Sequence, residues 1–473
     1  LPIYTDRARS TNEAVEAIFR GLSWLGLTWD DEPVFQSQRQ TRHREIVQRL
    51  IADKKAYPCF CTADHLESER QKAIAAKRNY IYDRACLQLS DNEIAERLER
   101  KHSYVIRFRV PDEKIAIDDL LHGKITTDSG TMGDFIIQRS DGTPVYQFAV
   151  VVDDYDMEIS HVIRAEEHLS NTPRQIFIAQ SLDYNVPEHG HIPYVAEPNS
   201  DRKLSKRHID KYRLDPTFKK IQEMGESIMT RLGREFDPCN FNPVLVNFYK
   251  KLGYLPAAVV NGLLMLGWAY DDKKEIFSQK EMIDLFSLEK VNKSPARFDP
   301  TKLTTRFQEH YAAELPAEQK AALARPYLEE VGLLSHPPTL DELERLYDVA
   351  VAAGDRLKIS GQILDFDDFF VKDENLKYDE KAFEKRIRKP EKAVELLKNF
   401  RAELEQADEF EAESLEALMK SFVEKEGIKI GDIIHAVRVA VTGKGVGCGM
   451  FETLAILGKE QCLNRMDRAL SMV

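Results

Sequence analysis

Residues 199 to 208, NSDRKLSKRH, set Lys203 and Lys206 three positions apart, with Ser205 between them and Arg202 and Arg207 outside. Lysine ammonium groups on a loop beside a sheet edge act as point charges of adjustable reach. They suit a reaction in which phosphate charge develops and then leaves. On pattern alone a solvated basic loop is the commoner reading; its position after an α/β unit shifts that balance. A second constellation is Cys59-Phe60-Cys61, followed after 24 intervening residues by Cys86. Three thiolates and a fourth ligand make a tetrahedral zinc site, which stabilises a small loop-rich module with little core of its own. The alternative is three reduced thiols packed in a hinge. A third, TGKGVGCG at 442 to 449, has the glycines of a phosphate loop but follows a helical pattern and lacks the GK[ST] ending, so it is a weak signal.

The elements that must position these residues change character along the chain. STNEAVEAIFRGLSWLGL places Ser10 three residues before Glu13 and then repeats apolar residues at helical spacing, the pattern of a capped amphipathic helix. TRHREIVQRLIADKKAY is a second helix. Residues 59 to 89 give a polar helix and an irregular return. SYVIRFRV and KITTD are expected as short strands, and VYQFAVVVDD as a nearly continuous apolar strand interior to a parallel sheet. EISHVIRAEEHLSNTPRQIFIAQSL then gives strand, polar loop and a helix opened by Thr172-Pro173, and HIPYVAE a further strand leading into the lysine loop. This alternation predicts a doubly wound α/β domain with its ligand at the carboxyl ends of the strands. Beyond about residue 215 strands largely disappear, and 245 to 268, 316 to 331, 340 to 354, 390 to 406 and 413 to 427 have helical periodicity, so the C-terminal half is expected to be all-α.

The chain has 473 residues, enough for about three domains at the usual ~150 residues each. Its 43% apolar and 31% charged residues describe a globular protein, and no apolar run approaches the ~20 residues of a membrane span. No secretory leader pattern is present and the six cysteines fit no disulfide framework, so a cytoplasmic protein is expected. A net charge of −12 means that any RNA partner must be gripped by local basic patches.

KLSKR resembles the second signature of class I aminoacyl-tRNA synthetases. The resemblance extends through TDRARST, VYQFAVVVDD, HVIRAEEHLSNTPRQ and RVAVTGKGVGCGMFETLAILGKE, in the order found in bacterial-type glutamyl-tRNA synthetases, and covers essentially the whole chain. It implies a class I α/β Rossmann-type catalytic domain at 1–57 and 146–220, with an inserted α+β acceptor-binding domain at 58–145. A stem-contact helical domain at 221–305 and an all-α anticodon-binding domain at 306–473 would follow. The implied activity is ATP-dependent activation of L-glutamate and its transfer to tRNA(Glu), with ATP and Mg2+ as cofactors and a monomeric state. Lys203, Ser205 and Lys206 would stabilise the triphosphate, and Glu167 and His168 would sit near the adenosine. Arg164 would take the substrate's side-chain carboxylate in a paired contact, with Tyr146 and Val150 lining the amino-acid pocket. Read without the family, Arg164 would instead pair with Glu166, Glu167 or Asp154, Tyr146 would be a core tyrosine, and His168 an ordinary loop histidine. Some family members show CxC followed by YxxxC and bind zinc. Others place a histidine two residues after the last cysteine, where this chain has Gln88, so the implied ligand set is Cys59, Cys61, Tyr82 and Cys86. Arg438 and Lys444 would contact RNA, and the basic stretch 384 to 392 is a further candidate.

The sequence departs from the family pattern at its start. The HIGH-like first signature is absent, and the glutamate expected to meet the substrate amino group is Ile3 in an ungapped alignment. The expectation is a chain that makes little adenylate. A non-catalytic tRNA-binding relic is the alternative from a different class. A glutamyl-queuosine-type enzyme should end soon after KLSKR, and a glutaminyl enzyme should carry β-barrels there.

Overall fold

The computed structural model describes Pro2, Ile3 and residues 12 to 473, without the side chains of Pro2, Ile3 and Lys206. The expected Ser10 cap and the Thr5, Asp6 and Arg7 match lie outside the described residues. Two compact units are present, Leu1–Leu204 with Leu264–Phe298, and Ser205–Leu263 with Asp299–Val473.

In the first unit, β1 (Pro2–Ile3) pairs in parallel with β2 (Val34–Phe35), with helix α1 (Asn12–Trp24) between them in sequence. Helix α2 (Gln40–Ala52) leads to an antiparallel three-stranded sheet of β3 (Ala56–Cys59), β4 (Val105–Phe108) and β7 (Phe135–Gln138) in the order β3-β4-β7. Between β3 and β4 run helices α3 (Ala63–Ala75) and α4 (Asp91–Glu99). A second sheet has the order β6-β5-β9-β8, from β5 (Lys114–Asp119), β6 (Gly123–Asp128), β8 (His161–Ala165) and β9 (Glu188–Ile192). It takes strands from both sides of residue 145. Strands β8 and β9 are parallel, joined by α6 (Thr172–Ser181), whose first turn accommodates Pro173.

The segment expected as an interior strand is instead helix α5 (Tyr146–Asp156). Phe148 to Asp153 are all buried, so the run is apolar because the helix is enclosed on nearly every side. A short continuous apolar run has the same composition in a buried strand and in a buried helix, and periodicity cannot separate them. Phe148, Val151 and Val152 join Ile46 and Leu50 of α2, Phe108 of β4, Ile115 and Ile117 of β5 and Phe177 of α6 in one core. Strand β5 was not expected, although its burial alternates residue by residue from Ile115 to Asp119. One polar tie fixes α5: the fully buried Asp153 carboxylate accepts from Gln36 Nε2 at 2.7 Å and Arg39 Nε at 2.6 Å, with His43 Nε2 at 2.9 Å. These bonds, opposing the effect of burial, hold the Asp153 pKa below its ordinary value.

The second unit is helical, with no strand among its described residues, as the periodicities predict. Pro216–Arg231, Val246–Leu252, Pro256–Leu264, Ala317–Glu330, Leu340–Ala353, Ala393–Gln406 and Ala412–Glu426 are its principal helices before 434. The β-barrels of the glutaminyl alternative have no counterpart there. Thr339 and Glu342 close a reciprocal cap on Leu340–Ala353. Helix Ile434–Thr442 ends at Gly443, whose φ of +72° is left-handed and whose Cβ, if present, would lie 2.1 Å from the Lys377 carbonyl oxygen. Among the described residues no helix is long and apolar enough to cross a membrane.

Candidate active site and cysteine cluster

Arg164 is the fourth residue of β8, so it lies near the carboxyl end of a parallel strand, where ligands of open α/β sheets bind. Its Nε donates to His191 Nε2 at 3.2 Å, and its Nη2 donates to Thr172 Oγ1 at 2.8 Å and Gln175 Oε1 at 2.7 Å. Thr172 and Gln175 come from the first turns of α6, and His191 from β9, directly opposite Arg164 in the strand register. All three are buried. A guanidinium carries five N–H donors; these bonds use none of the two on Nη1, and Tyr146 also interacts with the guanidinium. None of the carboxylates expected as an ordinary ion-pair partner is bonded to it. Asp154 acts through space, and Glu167 is engaged by Lys203 Nζ at 2.6 Å. Burial pulls the Arg164 pKa down, which Tyr146 and Asp154 partly offset. The arrangement is a half-desolvated cation held by neutral acceptors, chemistry suited to pairing with an anion.

Tyr146 opens α5, is 37% exposed, and has its ring 5.8 Å from that of His168. It is therefore a helix residue at a surface rather than a strand residue in the core. Val150, one helical turn on, is buried in the core of the unit and offers only apolar surface. His168 Nδ1 faces Asn171 Nδ2 at 3.3 Å, and burial and Arg164 lower its pKa. Glu167 and His168 follow Arg164 in a 3-10 turn, Glu166–Asn171, and the Lys203 bond holds Glu167 below the ordinary carboxylate range. Lys203 is placed by a turn in which Leu204 N donates to Val195 O at 2.8 Å and Glu197 N to Arg202 O at 2.8 Å. Arg164, Tyr146, His168, Glu167 and Lys203 thus form one connected set in the first unit. In the second unit, Ser205 N donates to Tyr212 Oη at 2.9 Å; the Lys206 side chain lies outside the described residues.

The three cysteines come together. Their sulfurs lie within 4.8 Å of one another, with Cys61 Sγ 3.5 Å from Cys86 Sγ. Tyr82 Oη is 3.4 Å from both Cys59 Sγ and Cys61 Sγ and accepts from Cys86 N at 3.1 Å. Cys59 ends β3, Cys86 sits in a 3-10 turn entered through Arg84 in a left-handed conformation, and Tyr82 lies on the return between them. Arg107 of β4 donates from Nε to Cys59 Sγ at 3.3 Å and packs 4.0 Å from the Tyr82 ring centre. Hydrogen bonding from Cys86, with Tyr82 and Arg107, brings the Cys59 pKa down to about 4 against the effect of burial. Burial, first of all, pushes the Tyr82 phenol far up.

In the second unit Arg438 Nη1 donates to Cys448 O at 2.7 Å. Lys444 Nζ donates to Asp365 O at 2.6 Å and Asp368 Oδ1 at 2.5 Å, and is also bonded to Asp367. The glycine-rich loop holds no phosphate-like cradle: the Glu452 carboxylate fills the space beside Gly449, at the start of helix Met450–Leu457.

Sequence reasoning missed the partners of Arg164, namely His191, Thr172, Gln175 and, behind His191, Asp119. The available signal was an acidic residue at an inward position ending the alternating strand KIAIDD.

Residues 4–238 and 242–305 match the family described as tRNA synthetases class I (E and Q), catalytic domain, and residues 319–470 match an anticodon binding domain. A glutamate--tRNA ligase of Geobacter sulfurreducens is 37% identical over 468 residues, covering 99% of this chain and 90% of the relative. One from Moorella thermoacetica is 35% identical over 474 residues, covering 98% and 89%. The crystal structure of a glutamate tRNA ligase from Elizabethkingia meningosepticum, in complex with its amino acid, superposes with a TM-score of 0.80 at 26% identity, over 99% of this chain and 91% of that one. With a catalytic pattern and an anticodon-binding pattern in order, and relatives matched over nearly their whole length, the chain belongs to the glutamate--tRNA ligase family of class I tRNA synthetases.

Proposed function

We propose that the protein activates L-glutamate with ATP and Mg2+ and transfers it to the terminal ribose hydroxyl of tRNA(Glu), in the cytoplasm and as a monomer. The observation that carries this reading is Arg164, a guanidinium held by neutral partners and with no bonded carboxylate, where a glutamate side chain needs its counter-charge. The substrate's α-carboxylate attacks the α-phosphorus of ATP and pyrophosphate leaves. The tRNA hydroxyl then attacks the adenylate carbonyl and AMP leaves. Both steps are served by positioning and charge rather than by a nucleophilic side chain. Lys203 would exchange its bond to Glu167 for triphosphate oxygens, and Ser205 and Lys206 carry the same assignment by position in KLSKR. Glu167 and His168 would face the nucleotide, and Val150 would give the amino-acid pocket an apolar wall. Residues 58–145 are read as the acceptor-binding insertion and 306–473 as the anticodon-binding region, with Arg438 as an RNA contact. Lys444 would reach RNA only by giving up three acceptors. The test is charging of tRNA(Glu) with labelled L-glutamate under ATP and Mg2+. Glutamate-dependent esterification is expected, at a low rate in keeping with a chain that makes little adenylate; tight tRNA binding with no glutamate transfer would instead leave the relic.

The cysteine cluster fits zinc. Three sulfurs and a phenol oxygen already converge, Arg107 supplies compensating charge, and the surrounding module is small. Cys59, Cys61 and Cys86 would bind as thiolates with Tyr82 as fourth ligand, and the ion would cross-link β3 to the 80–88 return. One equivalent of zinc in the purified protein, lost in Cys59→Ser, is the expected result. Metal-free, fully folded wild-type protein would exclude the assignment.

A further inference from the structure

Arginine only donates, so the nitrogen of His191 that faces Arg164 Nε must present a lone pair. The ring proton is therefore on Nδ1, which points at Asp119 Oδ2 across 2.6 Å. Asp119 is itself immobilised: its Oδ1 accepts from the backbone N–H groups of Leu121 at 3.0 Å, His122 at 2.9 Å and His191 at 3.4 Å. Both side chains are buried, at 3% and 0% exposure. A line of hydrogen bonds thus runs from backbone amides through Asp119 and His191 to one edge of the guanidinium, with Thr172 Oγ1 also 3.0 Å from His191 Nε2, while Nη1 on the opposite edge is bonded to none of these groups. Burial and the neighbouring Arg164 cation lower the His191 pKa, which keeps the ring a neutral acceptor.

We infer that Asp119 and His191 are positioning residues for glutamate recognition. They fix the rotation of Arg164 so that Nη1, beside Tyr146, meets the substrate's side-chain carboxylate. The inference rests on the reading of Arg164 as the carboxylate anchor. It sharpens that reading: the carboxylate is met from Nη1 rather than by a fork that includes Nε, because Nε is spent on His191. Without the His191 acceptor the Nε–H would turn toward the substrate space, and the guanidinium would sample several rotations.

Calorimetric titration of L-glutamate into the full chain, with ATP titrated separately, tests the inference. His191→Leu is expected to weaken L-glutamate by about tenfold or more while ATP affinity stays within about twofold. His191→Gln, which can offer an amide oxygen near the Nε2 position, is expected to recover most of the loss. Arg164→Ala separates the two levels. If it leaves glutamate binding intact, the anchor reading fails. If it abolishes binding while folded His191→Leu binds like wild type, the positioning inference alone fails. Should His191→Leu not fold, the ring nitrogen chemical shifts of His191 in the wild-type protein decide: a protonated Nδ1 and a bare Nε2 are expected, and the reverse tautomer would overturn the inference.

Discussion

Arg164 in the first unit is surrounded by neutral acceptors, whereas Lys444 in the second is bonded to two carboxylates and a carbonyl. Both were expected from the sequence to meet a ligand, one a carboxylate and the other RNA. A partly desolvated cation without a counter-ion is costly in the free protein and regains that cost when an anion arrives. A lysine already neutralised by Asp367 and Asp368 must break those bonds to bind anything. The difference separates a cation held by neutral groups from one already neutralised, although each residue lies in a stretch that resembles the same family.

The comparison breaks most clearly under substitution. Arg164→Ala removes the guanidinium proposed to meet the substrate side chain. It is expected to weaken L-glutamate by about 2 to 5 kcal/mol, the range for losing one partner of a buried charge pair, with the melting temperature little changed. Binding assays and thermal melts on the same samples separate the two effects. Lys444→Met should show the opposite profile, a stability loss of about 2 to 3 kcal/mol with glutamate affinity unaltered. Asp368, 5% exposed, would be left as a buried carboxylate short of its cation. Asp368→Asn in the same chain should recover part of that loss in urea denaturation.

A smaller effect concerns Asp154, whose pKa burial, and then the Asp153 charge, raise to about 6 from 3.8. The folded state therefore favours the neutral form. The stability that proton contributes is complete below about pH 4 and is lost as pH rises through 6. Asp154→Asn should stabilise the protein by up to about 3 kcal/mol at pH 7 and by nothing at pH 4. Equal stabilisation at both pH values would show that its carboxyl is not desolvated.

How much of this was legible in the sequence depended on range. Local signals carried well: Pro173 at a helix start and the periodicities of the C-terminal helices appear as read, whereas the Thr339 and Glu342 cap was not anticipated. The cysteine spacing correctly brought together three sulfurs whose ligand role remains a proposal. Helix α5 was misread because enclosure by tertiary structure erased its polar face, and with the face went the period. The support of Arg164 could not be seen, since Asp119, Thr172, Gln175 and His191 converge only after β5, β8, β9 and α6 are assembled. For Lys444 nothing in the sequence pointed to its intramolecular partners, Asp365, Asp367 and Asp368, which only the fold brings to it.

Arg164 is proposed to recognise the carboxylate that distinguishes glutamate from glutamine. The most direct measurement is a side-by-side calorimetric titration of L-glutamate and L-glutamine into the wild-type chain and Arg164→Ala. Preference for glutamate by at least about tenfold in the wild type, collapsing to no preference in the variant, is the predicted result. Equal affinity for the two amino acids in the wild type, or an undiminished preference in Arg164→Ala, would contradict it.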